Sequence, residues 1–153
     1  MPKKTPVRQY AALPIDLRSG TVEIVLVTSR TTGRWIIPKG KPEAGLPGHE
    51  VARREAFEEA GLIGATARKA LGTFDSVKGM GTVDQPVRVS VYPFRVDGDT
   101  ADFPERGQRE ILRASFLESL MLLSDGGLIS LLLRYEDELV DLLPPLDKRG
   151  GAR

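Results

Sequence analysis

Three glutamates crowd one short stretch, RREAFEEAG at residues 53–61: Glu55, Glu58 and Glu59. On a helix, like charges three and four residues apart destabilise by roughly 0.2–0.5 kcal/mol per pair. Glu50, Arg54 and Glu58 offset part of that cost as a ladder at i,i+4 spacing, with Glu ahead of Arg, the favoured direction. Glu55 and Glu59 have no such partner. Their neighbours at helical spacing are Val51, Ala52, Ala56, Leu62, Ile63 and other glutamates. They also face each other. Spacing alone leaves two readings open, a bound divalent cation and a solvated acidic face.

The segment just ahead, PKGKPEAG at 38–45, brings Lys39, Lys41 and loop backbone to the mouth of the same helix. Carboxylates suit Mg²⁺, a hard ion that wants oxygen ligands and is commonly held by carboxylates together with substrate phosphates. Lysines meet phosphate oxygens as point charges. A cation on carboxylates beside a basic loop has the parts needed to hydrolyse a phosphoanhydride: it neutralises negative oxygens and activates water. A second segment, FPERGQRE at 103–110, offers Glu105 and Glu110 as a further metal ligand or general base. Its Arg106 and Arg109 are candidates to clamp phosphates. Glu105 is favoured as the base because Pro104 fixes the local backbone and Arg106 stands beside it, on a loop able to close over bound phosphates. The alternative is a solvated charged loop. His49, the sole histidine, lies near the helix start and reads as a surface residue; Trp35 reads as core or pocket wall.

These side chains need elements to carry them. A helix is expected from Pro47 or Gly48 to Ala60, with Gly61 in the left-handed position past its end. Ala52, Ala56 and Ala60 form a stripe of small side chains that lets it sit close on a sheet. Residues 7–17 and 22–30 read as strands and 35–40 as a short strand ending in a Pro/Gly loop, with a turn at 31–34 and loop at 41–48. Residues 67–77 and 86–96 read as two more strands joined through 78–85. A polar loop spans 98–110, and a short strand fits 111–114. Ser115 and Glu118 match a capping box at the start of another helix. A last helix is expected from about Gly126 to Leu142, with Leu128, Leu132, Tyr135, Leu139 and Leu142 as its apolar stripe. That stripe suits the core of the same chain or, alternatively, a homodimer contact. Strands interleaved with helices suggest a mixed sheet covered by helices.

The 153 residues suit one domain, with loose ends at 1–6 and 147–153. With no cysteine, disulfides, thiolate metal sites and a Cys nucleophile are excluded, and a reducing, cytoplasmic setting fits. No apolar run follows Lys3 and Lys4 as a signal peptide would require, and none is long enough to span a membrane. A net charge of +1 argues against dedicated nucleic-acid binding but not against a small anionic substrate.

Residues 40–62, GKPEAGLPGHEVARREAFEEAGL, resemble the Nudix box: Gly, five residues, Glu, seven residues, Arg-Glu, an apolar residue, any residue, Glu-Glu, any residue, Gly, apolar. Gly40, Arg54, Glu55, Ala56, Glu58, Glu59, Gly61 and Leu62 are in register. The resemblance implies the Nudix fold, an α/β mixed sheet sandwiched between helices. It also implies hydrolysis of a nucleoside diphosphate linked to another moiety, X, or of a similar diphosphate metabolite. Mg²⁺, with Mn²⁺ possible, would be held by Glu55, Glu58 and Glu59 with the carbonyl of Gly40, and Arg54 would orient the glutamates. Lys39, Lys41, Arg106 and Arg109 would face the substrate. The wording around Pro38 and Glu105 also resembles members acting on diphosphoinositol polyphosphates or dinucleoside polyphosphates. One position departs: the box's first Glu falls on Leu46. Glu43 and Glu50 are near enough in sequence to stand in for it. A module that binds nucleotide without turnover is the alternative this departure raises.

Overall fold

The apolar runs near residues 11–15 and 24–27 become central strands, buried on both faces. The computed structural model describes residues 5–79 and 84–146. In it β1 (Val7–Asp16) pairs antiparallel with β2 (Glu23–Thr28) and parallel with β7 (Asp84–Asp99). Strands covered on both sides read as continuous rather than alternating apolar runs. The remaining strands complete one mixed sheet: β3 (Trp35–Ile36) and β8 (Ile111–Ser115) on β2, β4 (Lys39–Gly40) on β1, and β5 (Leu62–Thr66) and β6 (Gly72–Gly79) on β7.

Alternate residues sort between two cores. Ala11, Leu13, Ile15, Ile24, Leu26, Val87, Val89 and Val91 face the side covered by α3 (Gly126–Tyr135), whose Leu128, Leu131 and Leu132 pack into it. Ala12, Val25, Val27, Phe94 and Val96 face the side covered by α1 (Gly48–Ala60). The helix meets that face through Ala52, Ala56 and Ala60, as the small-residue stripe predicts. The result is the helix–sheet–helix sandwich. Gly61 ends α1 at φ 67°, its N–H bonded to the Phe57 carbonyl. The capping box forms at the start of α2 (Phe116–Leu122): Glu118 N–H donates to Ser115 Oγ, and Ser115 N–H donates to Glu118 Oε1.

Several boundaries differ from the sequence reading. β5 was not expected; it forms straight after Gly61 because β7 runs long enough to pair with it. The strand expected over 67–77 begins only at Gly72. β7 passes from β6 to β5 near Pro93, where Ala67 N–H bonds to the Pro93 carbonyl and the proline's missing donor falls in the gap between partners. The last helix stops at Tyr135 and tightens into a 3₁₀ turn, Glu136–Glu138. Three consecutive acids oppose the negative end of a helix dipole. Leu128, Leu132 and Leu139 are still buried in this chain's own core, whereas Leu142 is exposed. The expected loose ends, apart from Thr5 and Pro6, lie outside the described residues, as do 80–83 of the expected link. No helix among the described residues is long and apolar enough to cross a membrane.

Candidate active site

Glu55 and Glu59 stand one turn apart on α1, and the segment after β7 brings Glu105 to them. Each carboxylate offers an oxygen within 4.8 Å of the other two. The elements that set this are local. The alanine stripe seats α1 on the sheet, and Gly40 at the end of β4 lies directly against Glu55. A Cβ at position 40 would fall 2.5 Å from Glu55 Oε2. The Glu105 loop is pinned rather than free to close. Glu105 N–H donates to the Glu58 carbonyl at 2.9 Å, Gln108 N–H to the Glu105 carbonyl, and Thr28 N–H to the Glu110 carbonyl. Glu110 N–H donates in turn to Thr28 Oγ1.

Glu59 is only 2% exposed, and its Oε1 is the buried side-chain polar atom left without a hydrogen bond among the described residues. Burial pushes its carboxyl up to about 9, against the pull of nearby Arg109. Glu55 is raised as well, by burial first, with the charges of Glu58, Glu105 and Glu43 adding to it. The Glu55 carboxylate facing Glu59 raises it further. Arg109 turns inward: Nε donates to Glu105 Oε1 at 3.1 Å, Nη1 donates to the Thr28 carbonyl at 2.9 Å, and Nη2 lies 3.7 Å from Glu59 Oε1.

The carboxylates floor an open cavity of about 460 Å³. Arg30 and Arg34, on the turn between β2 and β3, line it together with Lys39 and Lys41. Lys39 Nζ donates to Gln9 Oε1 at 2.6 Å. Arg30 Nη1 donates to Gln108 Oε1 at 3.0 Å and lies 3.8 Å from Glu105.

This donor set can hold a divalent cation. It is all oxygen, as a hard ion prefers. It includes a buried carboxylate oxygen, Glu59 Oε1, that no hydrogen bond satisfies, and that is the sort of orphan that asks for an ion.

The model of the NUDIX domain matches residues 7–125, well over half of the chain. The chain belongs to the NUDIX family. Solved Nudix structures share the fold. The Ap4A hydrolase of C. elegans superposes with a TM-score of 0.64 at 15% identity, over 88% of this chain and 99% of that one. Its binary complex gives 0.65 at 16% identity, over 88% and 98%. The MutT protein of Methanosarcina mazei Go1 gives 0.66 at 20% identity, over 90% and 98%. No curated protein matches the chain in sequence.

Within the Nudix box, the departure at Leu46 has a local answer. Arg54 Nη1 donates to Glu43 Oε2 at 2.8 Å, and the expected ladder through Glu50 and Glu58 does not form. Glu50 instead pairs with Arg53 at 2.9 Å. Of the residues singled out from sequence, Lys39, Gly40, Lys41, Glu55, Glu59, Glu105 and Arg109 line the cavity. Glu58, Arg54, Arg106 and Glu110 do not. The Glu58 carboxylate lies outside the group of three, and Arg106 is exposed beyond the cavity. His49 is half-buried, its ring centroid 6.4 Å from that of Tyr92. Trp35 packs against the α3-side core and does not line this cavity. Of the two stand-ins the sequence offered for the box's first Glu, Glu43 is the one that meets Arg54; Arg30, Arg34 and Gln9 were missed. The two arginines flank the TTG turn, a basic pair at a turn tip that could have been read as a rim.

Proposed function

We propose that the protein is a metal-dependent pyrophosphohydrolase that cleaves the phosphoanhydride of a nucleoside diphosphate linked to X, or of a similar diphosphate metabolite. One observation carries the reading: three converging carboxylates, one of them with a buried oxygen that no hydrogen bond satisfies, floor a cavity rimmed by arginines and lysines. Glu55 and Glu59 would hold Mg²⁺ or Mn²⁺, with the Gly40 carbonyl and Glu58 as the further ligands that the box implies. When bound, the ion neutralises phosphate oxygens and lowers the pKa of water.

The other steps fall to the chain's own groups. Arg30, Arg34, Lys39 and Lys41 bind and orient the phosphates. Glu105, at 19% exposure far more open than the buried Glu59 and facing both the ion site and the cavity, accepts the proton of the attacking water. The water oxygen bonds to phosphorus, the P–O–P bond breaks, and the departing phosphate keeps the bridging oxygen. The proton on Glu105 then passes to a product phosphate or to solvent.

A phosphate-dense substrate is the second reading, covering diphosphoinositol and dinucleoside polyphosphates. Four cationic side chains line the cavity beside Arg109, and no aromatic ring does among the described residues. The Ap4A hydrolase activity of one fold neighbour adds a dinucleoside polyphosphate to the compounds worth testing. A module without turnover loses ground because Glu43 supplies Arg54 with the carboxylate that Leu46 lacks. The test is a panel of nucleotide-sugar diphosphates, dinucleoside polyphosphates and diphosphoinositol polyphosphates, assayed with Mg²⁺ and with chelator. Metal-dependent release of a phosphorylated product is the expected result. No turnover of any panel member with Mg²⁺ or Mn²⁺ would overturn it.

A further inference from the structure

We infer that Arg109 is a positioning residue: it locks the loop that presents Glu105 to the Glu55–Glu59 pair and does not itself hold substrate phosphate. The inference rests on the reading of this cavity as a hydrolytic site. A phosphate-binding arginine must turn its guanidinium toward solvent. Arg109 is 9% exposed, and each of its three guanidinium nitrogens faces protein. Nε meets Glu105, Nη1 meets the Thr28 carbonyl on β2, and Nη2 faces Glu59 on α1. One side chain thus ties a loop, a strand and a helix together. The planar fork makes this possible, and a lysine could not reach all three.

The backbone around it works the same way. Glu105 N–H is bonded to the Glu58 carbonyl and Thr28 N–H to the Glu110 carbonyl, so the loop is stitched on both sides of Arg109. Glu105 itself lies between two guanidinium groups of different kinds. Arg109 is buried beneath it, and Arg30, 56% exposed, lies 3.8 Å away on the cavity side. The exposed one is free to exchange Glu105 for a phosphate. The buried one stays, and it keeps Glu105 aimed while substrates come and go.

The test combines amide hydrogen exchange with kinetics on the full chain. In Arg109→Met, protection of the Glu105 and Gln108 amides should fall by about tenfold or more, as losing hydrogen bonds to charged groups predicts, while amides in β1 and β7 keep theirs. On whichever panel compound the wild type cleaves, kcat should fall by about 10²–10⁴-fold, the scale of losing a general base, with KM little changed. Arg109→Met combined with Glu105→Gln should be no slower than the slower single variant. Arg109→Lys, which keeps the charge without the fork, should resemble Arg109→Met in both measurements, and it carries the test if Arg109→Met does not fold. Wild-type protection at Glu105 in either variant would overturn the inference, as would a raised KM with kcat intact. If the wild type cleaves nothing, the proposed function fails while exchange still decides the role of Arg109.

Discussion

Glu43 and Arg54 form a 2.8 Å ion pair that fastens the loop ahead of α1 to the outer side of the helix. The two side chains are 43% and 44% exposed. A pair in that setting contributes about 0–1 kcal/mol to stability, so its value lies in where it holds Arg54. Glu43→Ala should shift a denaturant midpoint little and lower kcat severalfold. Leu46→Glu should change wild-type activity little but restore activity in the Glu43→Ala background. Glu50→Gln should behave as a surface change, because Glu50 bonds Arg53. A large gain from Leu46→Glu in the wild type would mean that Glu43 does not do this work.

Gly40 against Glu55 gives a prediction that separates folding from function. The nearest atoms that an alanine Cβ there would meet all belong to the flexible Glu55 side chain, which can swing away. Gly40→Ala should therefore melt close to the wild type in chelator. The rise in melting temperature on adding Mg²⁺, which follows when an ion binds only the folded state, should shrink or vanish, and activity with it. A variant that keeps the full Mg²⁺-induced rise would refute the idea that this glycine spaces the site.

How far the sequence reached can be judged from such pairs. The helix over 48–60, its end at Gly61 and the capping box at Ser115 are encoded within a few residues, and they formed as read. So did the facing of Glu55 and Glu59, which helical spacing alone dictates. Arg109 reaches Glu59 from fifty positions along the chain, and no local pattern announces that contact. β5 holds a glycine and abuts a helix, so only the far half of β7 makes it a strand. Glu43 bonds Arg54 because the loop folds back, and helical spacing had favoured Glu50 instead. The misses share one cause: each depends on a partner brought near by the sheet, whereas periodicity reports only on the element itself.

Glu59 makes the metal-free protein sensitive to pH. Its carboxyl stays protonated in the folded state up to about 9 because of burial, whereas the unfolded chain loses that proton near 4.5. Between those values the folded state binds more protons than the unfolded state, so the unfolding free energy falls as pH rises. The contribution is fully present below about 4.5 and lost through about 9. Melting temperature in chelator should decline across that window, and Glu59→Gln should flatten the decline. Mg²⁺ binding should release protons and tighten with rising pH, since ligands must be deprotonated. Chelated wild-type protein that grows more stable as pH rises toward 9 would contradict this.

The final prediction sets Glu105 against Glu58. Both are acidic residues near the same helix end, and the box resemblance puts weight on Glu58. The geometry ranks the carboxylates differently: Glu55, Glu59 and Glu105 converge, and Glu58 contributes to the cluster through its backbone carbonyl, which accepts from Glu105 N–H. Glu105→Gln removes a proton acceptor and keeps shape and hydrogen-bonding capacity. It should lower kcat by about 10²–10⁴-fold, with an unchanged circular dichroism spectrum and most of the Mg²⁺-induced rise in melting temperature retained. Glu59→Gln should abolish that rise as well as activity, because it removes the buried ligand itself. Glu58→Gln is the discriminating variant. Losses as large as those of Glu59→Gln would mean that its carboxylate turns inward once the ion binds, as the box implies. Should Glu105→Gln keep near-normal kcat, the loop supplies no base, and proton transfer passes to a carboxylate on α1.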